Sequence, residues 1–377
     1  MRILQVVTLL TPDGAYGGPA RVALNQAAAL SDHSHDVTVA ASCTGYAVPP
    51  TTIDGVRVQL FPNSTVIPRT GFAGTRARGM LPWLRTAISD FDVVHVHLAR
   101  DFVTLPAARL ALRNKPVVLQ THGMIDSSDR LLAKPLDALW TKPVLRQSSS
   151  IMYLTPREAV DLTEVAGPRI RLHPLPNGVP VQDYQPPADA DTPEVLFLAR
   201  LHPRKRPELF VEMAHQLLRS GTNARFALVG PDEGSGPAVR QLIAQGGFAD
   251  RITLEPPIAP EHVARRMSSA TIYVLPSVDE PFPMSVLEAM ALGRPVVVSD
   301  TCGLAPMIRE SGGGRVVNHS LAELAEAVGE LLANPEAAIA VGSHGRAATL
   351  ANYGMPEVAM QLEDIYTDAI STNRIGR

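Results

Sequence analysis

Short apolar runs and stretches of helical spacing take turns along this chain. The runs lie at residues 1–10, 36–41, 56–60, 92–97, 116–124, 150–155, 195–199, 225–229, 252–254, 273–276 and 295–298. Most are continuous rather than alternating, the pattern of strands buried on both faces. Between them the spacing predicts helices over 21–30, 105–112, 156–166, 208–218, 285–292, 321–333, 335–350 and 355–370. A strand, a helix and a second strand make a crossover, and repeated crossovers build parallel sheets. The predicted class is therefore α/β with doubly wound, Rossmann-like parallel sheets.

A chain of 377 residues is too long for one ordinary core, which predicts two domains. Residues 1–182 form the first, the Pro- and Asp-rich stretch 183–193 reads as a linker, and 194–354 form the second. With 45% hydrophobic and 19% charged residues the chain is globular, and no apolar run approaches bilayer length. The opening run lacks a long apolar core and a small-residue cleavage site, so it reads as a strand and predicts a cytoplasmic protein. Two cysteines, Cys43 and Cys302, supply neither a disulfide framework nor a four-ligand zinc site.

The formal charge of −3 conceals a difference between halves. Residues 1–180 hold 18 Lys+Arg against 13 Asp+Glu, leaving 16 against 24 for the remainder. A basic first half suits an anionic partner, and Arg69, Arg76, Arg78 and Arg85 with Trp83 lie between 67 and 88 without an acid. This stretch reads as a mobile basic loop with a short helix; peripheral contact with an anionic membrane, at the inner face, is the functional alternative. No basic run or recognisable motif points to nucleic acid.

Residues 273–298 carry the densest signal. A strand ending at Pro276, a loop with Glu280, a helix start near Ser285 and a stop at Gly293 precede another apolar run. Ligands of open parallel sheets lie beyond the carboxyl ends of strands, where Glu280 would sit. The backbone N–H groups of Met284, Ser285 and Val286 would point out of the helix start, which favours an anion. The competing reading is structural, because Ser285-x-x-Glu288 fits a capping box.

Five further strand ends hold candidate chemistry. Gly17 and Gly18 open a helix after the first strand, though they do not supply a full dinucleotide fingerprint. His122, followed by Gly123, ends another, whereas His95 and His97 lie within a strand and read as core or rim. Arg200 and Lys205 bracket a strand end and a helix start, a placement that suits a diphosphate. Gly230 turns out of the next strand, and Ile258 follows the one after that. Asp189-x-Asp191 has the spacing of a metal pair but sits in linker composition, so a metal role is rejected.

Glu280-x7-Glu288 within E-P-F-P-M-S-V-L-E-A-M-A-L-G-R-P-V-V resembles the signature of the GT4-type retaining glycosyltransferases. The resemblance extends over essentially the whole chain and is strongest in 195–300. It implies the GT-B architecture, in which two Rossmann-like domains face an interdomain cleft, the first on the acceptor side and the second binding the nucleotide-sugar donor. Residues 355–377 would pack back on the first domain. It also implies that Glu280 bonds the donor sugar, Glu288 the ribose, and the N–H groups of Met284, Ser285 and Val286 the diphosphate.

By the same resemblance Arg200 and Lys205 hold the phosphates, and Gly17 and Gly18 face them. His122 lies beside the donor sugar, and the backbone around Gly230 and Ile258 reads the base. The implied reaction moves a hexose, with retention, from a UDP- or GDP-sugar to an acceptor hydroxyl on a glycan or lipid-linked molecule, without a metal cofactor. A role in bacterial surface polysaccharide or glycoconjugate assembly follows.

Two positions depart from the family's pattern: Pro283 stands where Gly is frequent and has no N–H, and Arg206 replaces another frequent Gly. No carboxylate pair with separable acid and nucleophile roles emerges, unlike a retaining glycosidase. The rival functions are a sugar-nucleotide epimerase of similar shape, which would need no acceptor, and a catalytically idle nucleotide-sugar-binding partner.

Overall fold

The structure, a computed structural model, describes residues 1–12, 17–67, 71–126, 136–181 and 192–375. The linker aspartates Asp189 and Asp191, and Arg69 of the basic stretch, lie outside the described residues. The chain divides into two compact units, Met1–Gly178 with Met355–Arg377, and Val179–Gly354.

The first unit is built on β1 (Arg2–Leu10), β2 (Asp36–Cys43), β3 (Thr52–Ile53), β4 (Val56–Thr65), β5 (Thr75–Ala77), β6 (Val93–His97), β7 (Val117–Gln120), β8 (Ser150–Tyr153) and β9 (Leu172–Pro174). Their order is β3-β4-β2-β1-β6-β7-β8-β9, with β5 on β4. The strands from β4 to β9 along this path pair in parallel, and the chain reverses its direction of winding between β1 and β6.

Side chains alternate across the sheet. Leu4, Val6, Val94 and Val96 enter a core covered by helices Met80–Ala87, Thr104–Ala111, Lys142–Gln147 and Pro156–Ala166. Ile3, Val7, Val93 and Val118 enter the opposite core, beneath helices Gly17–Asp32 and Met355–Ile375. The last helix buries Met355, Val358, Ala359, Leu362, Ile365, Tyr366 and Ala369, an apolar stripe at helical spacing.

One expectation for this unit changes in part, and another that was left open is decided. Part of the basic stretch is strand where a loop was expected, since β5 pairs antiparallel with β4 through Asn63↔Ala77 and Thr65↔Thr75, while the expected short helix is present as Met80–Ala87. Helix Met80–Ala87 then starts at Gly79, whose φ of 89° an ordinary side chain would resist. Of the two readings left open for His95 and His97, core or rim, the structure gives core. Two residues apart on β6, both point into the second core and are buried.

The second unit holds β10 (Glu194–Leu198), β11 (Arg225–Val229), β12 (Ile252–Glu255), β13 (Ile272–Leu275), β14 (Val296–Ser299) and β15 (Gly314–Val317), all parallel. The order β12-β11-β10-β13-β14-β15 puts β10 and β13 side by side although two strands separate them in sequence. This is the point where winding reverses, the place beyond the strands' carboxyl ends where ligands of open parallel sheets bind. Helices on both faces close a single continuous core around Phe197, Phe210, Phe226 and Tyr273.

Candidate active site

The reversal point of the second unit gathers charge. Arg200 follows β10, and His202 then caps a short turn, Pro203–Lys205, by accepting the Arg204 N–H through Nδ1 at 3.1 Å. That turn delivers Lys205 to the loop after β13, where Nζ lies 2.5 Å from Glu280 Oε2. Both side chains are largely buried, at 13% and 15% exposure. Arg204 adds a contact that sequence reasoning did not single out: its guanidinium donates to the Asp279 carbonyl at 3.0 Å and lies 3.5 Å from Glu280 Oε2. Its alternation with two other cations hid it.

The Glu280 loop is held from both sides. Val278 N–H donates to the Arg204 carbonyl at 2.8 Å, and Gly303 N–H to the Glu280 carbonyl at 2.8 Å. A methyl group on Gly303 would stand 1.8 Å from the Pro281 carbonyl oxygen, so only glycine allows this approach. Asp279 holds a left-handed φ of 50° within the same turn.

Helix Met284–Ala291 starts one residue earlier than expected, with Pro283 as its cap. The capping-box reading fails at Ser285, whose hydroxyl is paired with Tyr273 Oη at 2.8 Å. Tyr273 has one proton, and the Leu198 carbonyl at 2.9 Å can only accept it, so Ser285 donates back to the phenol. Burial pushes the Tyr273 hydroxyl pKa up, the Ser285 bond opposes this, and the charge of Glu288 adds to it. Val286 is corrected too: its N–H donates to the Pro283 carbonyl at 3.1 Å. The N–H groups of Met284 and Ser285 precede any intrahelical acceptor and remain the outward donors of this helix start.

Arg200 turns elsewhere. Its Nη1 meets both Glu233 oxygens, at 3.1 and 2.8 Å, on the loop after β11. With the Arg200 side chain 60% exposed and Glu233 37%, this pair is worth at most about 1 kcal/mol and exchanges readily for a stronger anion. Gly230 ends β11 with φ of 150°, and a methyl there would stand 2.0 Å from the Ala199 carbonyl oxygen. Its first duty is to let two strand ends meet. Ile258, past β12, packs partly buried against the core.

Arg206 explains its own departure from glycine. It holds φ 55° and ψ 48°, the left-handed region that glycine enters without strain. Its guanidinium offsets that cost through two 3.2 Å bonds to the His319 carbonyl.

In the first unit Gly17 and Gly18 begin helix Gly17–Asp32, and a methyl on Gly18 would meet nothing within 4 Å. His122, past β7, takes a left-handed φ of 51° ahead of Gly123 at 71°. Its Nε2 lies 2.8 Å from His97 Nδ1, and the rings stack at 5.1 Å. His97 Nε2 reaches Gln5 Oε1 at 3.4 Å, and His95 Nδ1 reaches the Tyr366 hydroxyl at 2.8 Å. Burial lowers the His95 and His122 pKa values to about 3, and lowers His97 as well. All three rings are neutral at physiological pH. The sequence signal for this network was the period-2 spacing of His95 and His97, which sets them on the face of Gln5.

Comparison with known proteins gives the family. Residues 17–178 match the model of a glycosyl transferase 4-like domain, and residues 192–334 that of glycosyl transferases group 1. A D-inositol 3-phosphate glycosyltransferase of Nocardia farcinica is 30% identical over 306 residues, covering 74% of this chain and 67% of that protein. An alpha-D-kanosaminyltransferase of Streptomyces kanamyceticus is 26% identical over 325 residues, covering 79% and 84%. Among solved structures, a sucrose-phosphate synthase from Thermosynechococcus elongatus superposes with a TM-score of 0.74 at 20% identity over 99% of this chain and 100% of that one. Anabaena HepE, in complex with UDP and glucose, gives 0.72 at 17% over 97% and 99%. The chain belongs to the GT4-type, group 1 glycosyltransferases of the GT-B fold.

Proposed function

We propose that this glycosyltransferase moves a hexose from a UDP- or GDP-sugar to a hydroxyl of a glycan or lipid-linked acceptor, with retention at the anomeric carbon and without a metal cofactor. The observation that carries this reading is the Lys205–Glu280 pair at the reversal point of the second sheet, beside the helix start at Met284. A leaving diphosphate gains negative charge as its bond to the sugar breaks. Lys205 has three donors, so it can keep Glu280 and still meet a phosphate oxygen. Arg200 exchanges Glu233 for the diphosphate, and the Met284 and Ser285 N–H groups add two oriented donors.

Glu280, held by Lys205 and Arg204, keeps acceptor capacity for sugar hydroxyls, and Glu288 serves the ribose. His122, Gly17 and Gly18 contribute from the first unit, and Gly230 and Ile258 line the base. The acceptor oxygen bonds to the anomeric carbon on the face the diphosphate leaves, and the leaving oxygen takes the acceptor's proton. The wider role is assembly of a bacterial surface polysaccharide or glycoconjugate by a cytoplasmic enzyme.

A panel of nucleotide sugars screened by thermal shift identifies the donor, since a ligand that binds the folded state raises its melting point. With that donor, Lys205→Ala is expected to lower kcat by roughly 10²–10³, the loss typical of one oriented donor at a developing charge. A folded Lys205→Ala variant with near-full turnover refutes the assignment.

Peripheral membrane contact is a further part of the proposal. Arg76, Arg78 and Arg85 are exposed, and Val66 and Ile67, 46% and 42% exposed, lie on the same hairpin segment. Reversing the charges of Arg76 and Arg78 should abolish binding to anionic vesicles; unchanged binding removes this element alone.

A further inference from the structure

The turn that carries His122 is closed by a carboxylate from elsewhere in the first unit. Glu158 is buried at 3% exposure in the first turn of helix Pro156–Ala166. One of its oxygens accepts the Thr121 hydroxyl at 2.5 Å and the Gly123 N–H at 2.5 Å; the other accepts the Leu154 N–H at 2.6 Å. Thr121 and Gly123 flank His122, so Glu158 clamps both neighbours of a residue in left-handed conformation. Such a conformation costs on the order of 1 kcal/mol or more and persists only where surrounding bonds over-determine it. The carboxylate meets three donors at charge-assisted distances, which offsets its burial.

The ring is fixed as closely as the backbone. Gln5 Oε1 can only accept, so His97 Nε2 carries that ring's proton and Nδ1 is left as an acceptor. His122 must therefore donate through Nε2 at 2.8 Å, and the same ring also bonds the Asn177 side chain, a second contact that fixes its orientation. Neutral rings, which burial enforces here, are what this chain of bonds requires.

We propose that Glu158 and His97 are positioning residues for His122, Glu158 setting its backbone and His97 its tautomer, so that the imidazole meets the reacting sugar in one orientation and one protonation form. The inference rests on the role given to His122 above. Its reach is specific: loss of either residue should cost activity only through His122.

A double-mutant cycle tests this with the full-length chain and the donor found by thermal shift. Glu158→Gln is expected to lower kcat roughly tenfold or more with donor KM nearly unchanged, yet to cost less than about twofold in a His122→Ala background. His97→Leu should behave likewise, and His97→Asn, which keeps an acceptor near Nδ1, should recover part of the loss. Equal losses in both backgrounds would mean a general structural role and overturn the proposal. Should Glu158→Gln fail to fold, Thr121→Val removes one arm of the clamp and gives a smaller loss with the same dependence on His122.

Two readouts do not need turnover. Amide exchange of Gly123 should accelerate at least roughly tenfold in Glu158→Gln. ¹⁵N shifts of His122 should report an Nε2–H tautomer that changes in His97→Leu. Unchanged exchange and tautomer sink the proposal whatever the activity. A wild-type chain inactive with every donor would instead refute the function reading, while these two readouts would still decide whether Glu158 and His97 fix His122.

Discussion

Acid should weaken the first unit well before its carboxylates protonate, because folding holds imidazoles neutral that unfolding releases. His95 is fully buried, and burial, helped by the nearby His122, lowers its pKa from 6.5 to about 3. The folded value lies below the unfolded one, so the unfolded chain binds this proton more tightly. The stability concerned is complete above about pH 6.5 and drains away as pH falls towards 3. At pH 5 an unfolded imidazole is protonated over neutral by about 30 to 1, whereas the folded ring stays neutral, which costs about 2 kcal/mol. His122, also lowered to about 3, costs a similar amount, and His97 acts in the same direction. Between pH 7.5 and 5 the unit should lose about 4 kcal/mol or more.

Tryptophan fluorescence can isolate this effect. The chain has two tryptophans, Trp83 and Trp140, and both belong to the first unit. With a urea slope of roughly 2 kcal/mol per molar, each histidine should lower the midpoint by about 1 M at pH 5. His95→Asn removes one titrating group and should reduce the pH dependence by about 2 kcal/mol. A wild-type midpoint that moves by less than about 0.3 M between these pH values, or a variant with undiminished dependence, refutes the reasoning.

Other outcomes follow from single contacts. Gly303→Ala drives a methyl into the Pro281 carbonyl and should displace the Glu280 loop, lowering kcat at least roughly tenfold and stability by about 1–3 kcal/mol; calorimetry and initial rates check both. Tyr273→Phe strands the Leu198 carbonyl and the Ser285 hydroxyl, a loss of about 1–3 kcal/mol readable in chemical denaturation of the second unit. Arg200→Ala removes an ion pair that is largely exposed, so the melting point should stay within about a degree while turnover falls; a large thermal effect would mean that the Glu233 pair is structural. Thr155→Ala deletes a cap accepting the Glu158 N–H at 3.2 Å and should cost about 1 kcal/mol in the first unit.

Reading this chain from sequence succeeded where one element decides the outcome and failed where a distant partner does. Strands such as β11 and β14 announce themselves because both faces are buried and the runs Phe226–Val229 and Val296–Val298 are apolar throughout. Gly293 ends its helix with φ of 71°, as a stop signal should. Ser285-x-x-Glu288, by contrast, satisfies a local rule that tertiary structure overrides. A tyrosine twelve residues upstream, on the adjoining strand, offers Ser285 a buried partner, and a residue inside the helix cannot also cap it.

His95 shows the converse. Its period-2 relation to His97 was visible, but polar residues facing a core are credible only once Tyr366 is seen to answer His95 and Gln5 to answer His97, both far away in sequence. Glu158 combines both lessons. Thr155-x-x-Glu158 has the spacing of a capping box, and Thr155 does cap the helix. The glutamate passes over its expected local partner and reaches across the sheet's carboxyl edge to the His122 turn. A capping motif at a strand's carboxyl end thus has two possible targets, its own helix and a neighbouring loop. The second becomes the better one when that loop holds a strained residue whose flanking donors would otherwise lie buried and unpaired.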